Sequence, residues 1–109
     1  MTAIQFVYIT AGDKAEARLI GKTLVESRLA ACVNIIDQMT SLYRWEGRIQ
    51  EDQEVILIAK TTGKNVPALK KKVKEMHSYE CPCIVCLPVT EGNEPFLEWI
   101  RGETDRFKF

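Results

Sequence analysis

Three thiols crowd one short stretch of this chain, Cys81-Pro82-Cys83-Ile84-Val85-Cys86, with His77 and Glu80 just before them. Thiolate, imidazole and carboxylate together are the donors that hold zinc and copper. The spacing restrains that reading. If 83 to 86 is extended, Cys83 and Cys86 point to opposite faces, so this Cys-x-x-Cys cannot close on an ion as a turn would, whereas Cys81 and Cys83 share a face. Two thiols also fall short of the usual four ligands, and buried cysteine is a common small core residue, so packing is expected at Cys83 and Cys86. His77 is the only histidine. It reads either as a helix C-terminal residue whose partly charged ring meets the helix dipole, or as a metal or anion contact beside Tyr79 and Glu80. On the metal reading the ligands are His77, Glu80 and Cys81, with copper or another divalent cation bound weakly and no other cofactor required.

Other residue groups carry weaker signals. Lys70-Lys71-Lys72 and Lys74, preceded by Lys60 and Lys64, form the one basic concentration. Between Val66, Leu69, Val73 and Met76 they fall where a helix faces solvent, so a solvated face is expected over a phosphate-contacting one. Tyr43 and Trp45 share a strand phase and read as interface anchors. There is no Gly-x-Ser-x-Gly, no second histidine to act as a base and no phosphate loop ending in Gly-Lys-Ser/Thr. The expectation is a binding protein and not an enzyme.

The elements that must position these residues follow from periodicity. Ile4 to Thr10 is an apolar, β-branched run that stops at Ala11-Gly12-Asp13 and reads as a first strand. Asp13 is placed to cap a helix carrying Ala17, Ile20 and Leu24 on one face, running to about Arg28. Cys32 to Trp45 reads as a long second strand whose alternation slips, with Val33 and Ile35 in one phase, Ile36 in the other and polar Asp37-Gln38 following, as a bulge or bend produces. Glu46-Gly47-Arg48 supplies turn chemistry, and Glu54 to Thr61 reads as a central strand, apolar in both phases over Val55 to Ala59. Val66, Leu69, Val73 and Met76 mark a second helix with Pro67 in its first turn. Ile84 to Val89 is a last strand, and Pro95 to Arg101 a short closing helix.

The order β-α-β-β-α-β predicts an α+β fold of the ferredoxin-like, split β-α-β kind. Two helices cover one face of a four-stranded antiparallel sheet, with a short C-terminal helix appended. The other face lacks cover, and a small domain with such a face is expected to bury it against copies of itself. At 109 residues, 46% hydrophobic and 28% charged, residues 1 to 109 are expected to form one soluble globular domain. Fifteen basic residues balance fifteen acidic ones, so no long-range field draws nucleic acid or an anionic membrane. No apolar run reaches the ~20 residues of a membrane span and the N-terminus lacks a signal pattern, so a cytoplasmic protein with reduced thiols is expected.

Several blocks then resemble the CutA divalent-cation tolerance family: Arg28-Leu29-Ala30-Ala31-Cys32-Val33-Asn34, Ser41-Leu42-Tyr43-Arg44-Trp45-Glu46-Gly47, Lys60-Thr61, His77-Ser78-Tyr79-Glu80, and Leu87-Pro88-Val89 with Trp99. The resemblance implies a ferredoxin-like fold, a homotrimer built by strand pairing, and a response to metal ions such as copper. Carried over by motif, it implies intersubunit clefts lined by Cys32, Trp45, Glu54, Lys60, His77 and Tyr79. Ser78 stands where the family commonly has proline, and the thiols at 81, 83 and 86 are additional. An alternative is a trimer similar to the PII regulators that binds a small anion and no physiological metal. Metallochaperones and acylphosphatases share the strand order, but the first loop, Thr10-Ala11-Gly12-Asp13, has neither their cysteine pair nor their arginine. No strand carries the aromatic pattern of an RNA-recognition domain.

Overall fold

The computed structural model describes residues 3–106. Strand β1 (Ile4–Ala11) leads into helix α1 (Lys14–Glu26), followed by β2 (Cys32–Trp45) and β3 (Arg48–Thr62). A 3-10 turn over Gly63–Asn65 opens into α2 (Val66–Met76), and β4 (Ile84–Val89) and α3 (Glu94–Glu103) close the chain. The sheet is antiparallel throughout in the order β2-β3-β1-β4, which is the split β-α-β arrangement expected.

Local chemistry explains where the elements begin and end. Asp13 Oδ1 accepts from the Glu16 amide at 2.8 Å and fixes the start of α1, satisfying one of the amides a helix N-terminus leaves unpaired. The helix stops at Glu26 because Arg28 takes a positive φ of 59°, a left-handed residue of the kind that commonly terminates helices. Asn65 lies buried after β3, its amide nitrogen donating to Thr62 Oγ1 and to the Thr104 carbonyl, both at 2.9 Å. That residue ties the start of α2 to the end of α3.

The β2–β3 hairpin is longer than the sequence suggests. Trp45 pairs with Arg48, and Glu46 and Gly47 both have positive φ, the conformation that two-residue hairpin turns require. Arg48 is therefore in β3 and not in the turn, and acidic Glu51 and Asp52 are strand residues. Polarity concealed this, because the distal arm has no helix against it and both faces remain wet; Leu42 and Ile49 stay exposed. The arm draws the molecule out to 46 Å along one axis.

The expected slip in β2 is a β-bulge. Ile36 pairs with Ile56 and Met39 with Glu54, so Asp37 and Gln38 together face Val55 alone, with Gln38 at φ 62°. One extra residue inverts the side-chain alternation. Cys32, Asn34 and Ile36 lie on one face before the bulge, and Met39, Ser41, Tyr43 and Trp45 on that same face after it.

Helices α1 and α2 pack on the opposite face over Val7, Ile9, Val55, Leu57 and Ala59, joined by Ile20, Leu24, Leu69 and Val73. Gly21 sets the approach, since a Cβ there would lie 3.0 Å from Val33 Cγ1 and 3.3 Å from Leu57 Cδ1. The face away from these helices carries Phe6, Tyr8, Ile56 and Ile58, flanked by half-exposed Ile36, Val85 and Leu87. Its cover is partial and comes from α3, where Leu97 and Ile100 pack on Ile4, Ala31 and Val89 at one end. Among the described residues no helix covers the rest of that face.

Candidate functional site

At the end of β1 nearest α1, four side chains form a connected group. The His77 ring is fully buried, with Nε2 2.7 Å from the Thr10 carbonyl and Nδ1 3.0 Å from the Tyr79 amide. A carbonyl only accepts and an amide N–H only donates, so these partners select the tautomer with its hydrogen on Nε2 and the lone pair on Nδ1. The Glu16 carboxylate approaches Nδ1 to 3.6 Å. Tyr79 leans on the imidazole with ring centroids 4.7 Å apart, and its hydroxyl donates to Glu54 Oε2 at 2.9 Å. Partial burial, then the bond to Glu54 and the charge of that carboxylate, push the Tyr79 phenol well above its ordinary range. Gly12 lies beside Tyr79, where a Cβ would make an ordinary contact, 3.5 Å from the hydroxyl.

His77 ends α2, its amide donating to the Val73 carbonyl at 2.9 Å, but its ring turns away from the helix terminus toward β1. The dipole contact expected for the ring is thus replaced by the Thr10 bond, because burial demands partners for both ring nitrogens. Cys83 lies beside Thr10, whose hydroxyl bonds it. Burial, reinforced by the charge of Glu54, raises its thiol, and the Thr10 bond opposes the shift. Cys86 pairs with Val7 and packs on the core side, so Cys83 and Cys86 diverge as the extended backbone requires.

A second group lies at the far end of the same sheet face. Cys32 pairs with Lys60 across β2 and β3, Lys60 Nζ donates to Asn34 Oδ1 at 2.5 Å, and the ammonium stands 5.8 Å from the Phe96 ring centroid. Phe96 stacks on Trp99 at 5.5 Å. Trp45 is at a third place, the tip of the arm, 58% exposed. Tyr43, nearby on the arm, hydrogen-bonds through its hydroxyl to Asp52.

The residues expected to line one cleft therefore occupy three stations along β3: Trp45 opposite Arg48, Tyr79 and His77 at Glu54, and Cys32 opposite Lys60. Six residues of strand separate successive stations, about 20 Å at ~3.3 Å per residue. All three present to the face that α1 and α2 leave uncovered. Among the described residues no three His, Cys, Asp or Glu side chains gather to hold a metal ion, so His77, Glu80 and Cys81 do not converge within the subunit. Glu80 and Cys81 are exposed, while both His77 nitrogens are engaged. Sequence reasoning missed Thr10, Glu16 and Asn34. Glu16 carried a signal, the Asp13-x-x-Glu16 spacing of a helix start, but Thr10 holds His77 through its backbone carbonyl, which leaves no mark in its side-chain type.

The family described as CutA1 divalent ion tolerance protein matches residues 5–103. The chain belongs to that family. It is 51% identical over 100 residues to a divalent-cation tolerance protein CutA of Thermus thermophilus, covering 92% of this chain and 97% of that one. It is 43% identical over 103 residues to protein CutA of Homo sapiens, covering 94% of this chain but only 58% of the human protein. A solved structure described as the periplasmic divalent cation tolerance protein CutA of Archaeoglobus fulgidus superposes with a TM-score of 0.91 at 41% identity, covering 94% of this chain and 99% of that one. The family is thus named for tolerance of divalent ions and not for a reaction.

Proposed function

We propose that this chain acts in the response to divalent metal ions as a homotrimeric, non-enzymatic binding protein whose ligand clefts are completed between subunits. The observation that carries this is the placement of Trp45, Glu54 with Tyr79, and Cys32 with Lys60 at three stations about 20 Å apart on one strand face. A single subunit does not assemble them into one cleft, but neighbours packed on that apolar face bring one subunit's station beside another's. The cover needed is of the right kind, since Ile36, Val85, Leu87 and Trp45 are all exposed on it and soluble proteins bury such patches.

The metal contacts of this reading lie on the loop before β4, through Glu80 and Cys81. His77 is the positioning residue that holds the loop to β1. Four free cysteines suit a reducing, cytoplasmic setting. A second reading, a small anion bound in the manner of a PII-like signalling trimer, is favoured by Lys60, an ammonium on the apolar face between Asn34 and Phe96.

Sedimentation equilibrium with calorimetry of copper(II), zinc and inorganic phosphate tests both. A trimer at micromolar concentration that binds copper supports the first reading. A trimer that binds phosphate through Lys60 and ignores both metals replaces it with the second. A stable monomer sinks both.

A further inference from the structure

Cys81 and Cys83 flank Pro82, and both are free and exposed. The backbone between them has little freedom. Proline holds its own φ at about −65° and confines the residue before it to extended conformations, and Cys83 runs directly into β4. Residues two apart in an extended chain lie about 6.6 Å apart. Rotation about the two side chains narrows that span to the roughly 4.6 Å separating two sulfurs bonded at about 2.3 Å to opposite sides of one metal ion.

The surroundings favour this pair over the other donors. Cys86 is packed against the core, and Cys32 is at the Lys60 station, about 20 Å along the sheet. Both His77 nitrogens are taken by backbone groups. No three His, Cys, Asp or Glu donors gather among the described residues, which leaves no tetrahedral site of the zinc kind within the subunit. A thiolate pair without further donors selects soft ions, copper(I) foremost.

We propose that Cys81 and Cys83 form a two-coordinate thiolate site for one copper(I)-class ion. The step is an exchange: two sulfur–metal bonds form, the two thiol protons leave to solvent, and the ion keeps its oxidation state. Glu54, whose charge acts on Cys83, draws the cation inward, and Tyr79 holds that carboxylate in place. That the ligand is a metal rests on the metal-response reading above; its monovalent state and the pairing of Cys83, in place of Glu80, with Cys81 rest on the two thiols.

The full chain, its thiols kept reduced by a phosphine, is titrated anaerobically with copper(I) against a chromogenic copper(I) chelator. The expected result is one copper per chain, with Cys81→Ser or Cys83→Ser each weakening binding by more than the roughly 100-fold upper end of outer-shell effects. Cys86→Ala keeps the parental affinity. X-ray absorption of the copper-loaded parent gives two sulfur neighbours and needs no variant to fold. Parental affinity in both serine variants, or nitrogen or oxygen neighbours in the absorption spectrum, overturns the site. Sedimentation of the same samples separates the two proposals, since the copper site can fail in an intact trimer, whereas a monomer defeats the assembly reading.

Discussion

His77 Nε2 and the Thr10 carbonyl oxygen stand 2.7 Å apart, with the ring buried between α2 and β1. The only histidine of the chain is therefore a strut that fastens the loop after α2 to the end of β1, and Tyr79 takes its position from that strut through its amide and its ring.

His77→Ala leaves the buried Thr10 carbonyl and the Tyr79 amide without their side-chain partner. An unsatisfied buried polar group costs about 1–3 kcal/mol, so the denaturation midpoint falls accordingly while the far-ultraviolet spectrum of the folded protein is kept. An unchanged midpoint shows that the ring does not act as a strut.

Tyr79 answers to alkali. Its phenol is raised above the ordinary tyrosine value of about 10 by partial burial and by Glu54, so the folded state holds the proton more tightly than the unfolded one. That contribution to stability is complete below pH 10 and is lost as pH rises from there toward the folded value. Tyr79→Phe removes it, so the variant's stability declines less steeply above pH 10 than the parent's. Parallel declines contradict the assignment.

Asn65→Ala disconnects the C-terminal end of α3 from the start of α2. The amide side chain donates to Thr62 and Thr104 and accepts from Arg106 Nε at 2.9 Å, and it is buried. The loss is about 1–3 kcal/mol, and hydrogen exchange near Thr104 rises before the sheet amides respond. Uniform acceleration across the sheet is the contrary result.

Assembly is tested on the uncovered face. Ile58→Asp places a charge at its centre, opposite Tyr8, and is expected to yield folded monomers, because a desolvated unpaired charge is strongly unfavourable. Trp45→Ala, at the arm, weakens association by about 2 kcal/mol, as a central interface anchor does. Native-sized trimers with Ile58→Asp refute burial of this face.

The sequence by itself determined the element order, the family and the helix-covered core. These depend on local signals: Ala17, Ile20 and Leu24 at helical spacing, Asp13 as a cap, and Val55 to Ala59 as an apolar run. The bulge also showed in the sequence, as Ile36 out of phase with Val33 and Ile35 and followed by polar Asp37-Gln38. Its consequence did not, because whether one extra residue puts Trp45 on the face of Glu54 and Ile58 depends on which β3 residue it sits across from. The full length of β3 was hidden for a related reason: the arm has no helix to bury a face, so polar residues there look like loop. Burial decided the role of His77 as well. A solvent-facing histidine keeps both nitrogens available to a ligand, whereas this one lies between α2 and β1, where each nitrogen must find a partner, and the nearest partners are backbone groups that no residue type announces.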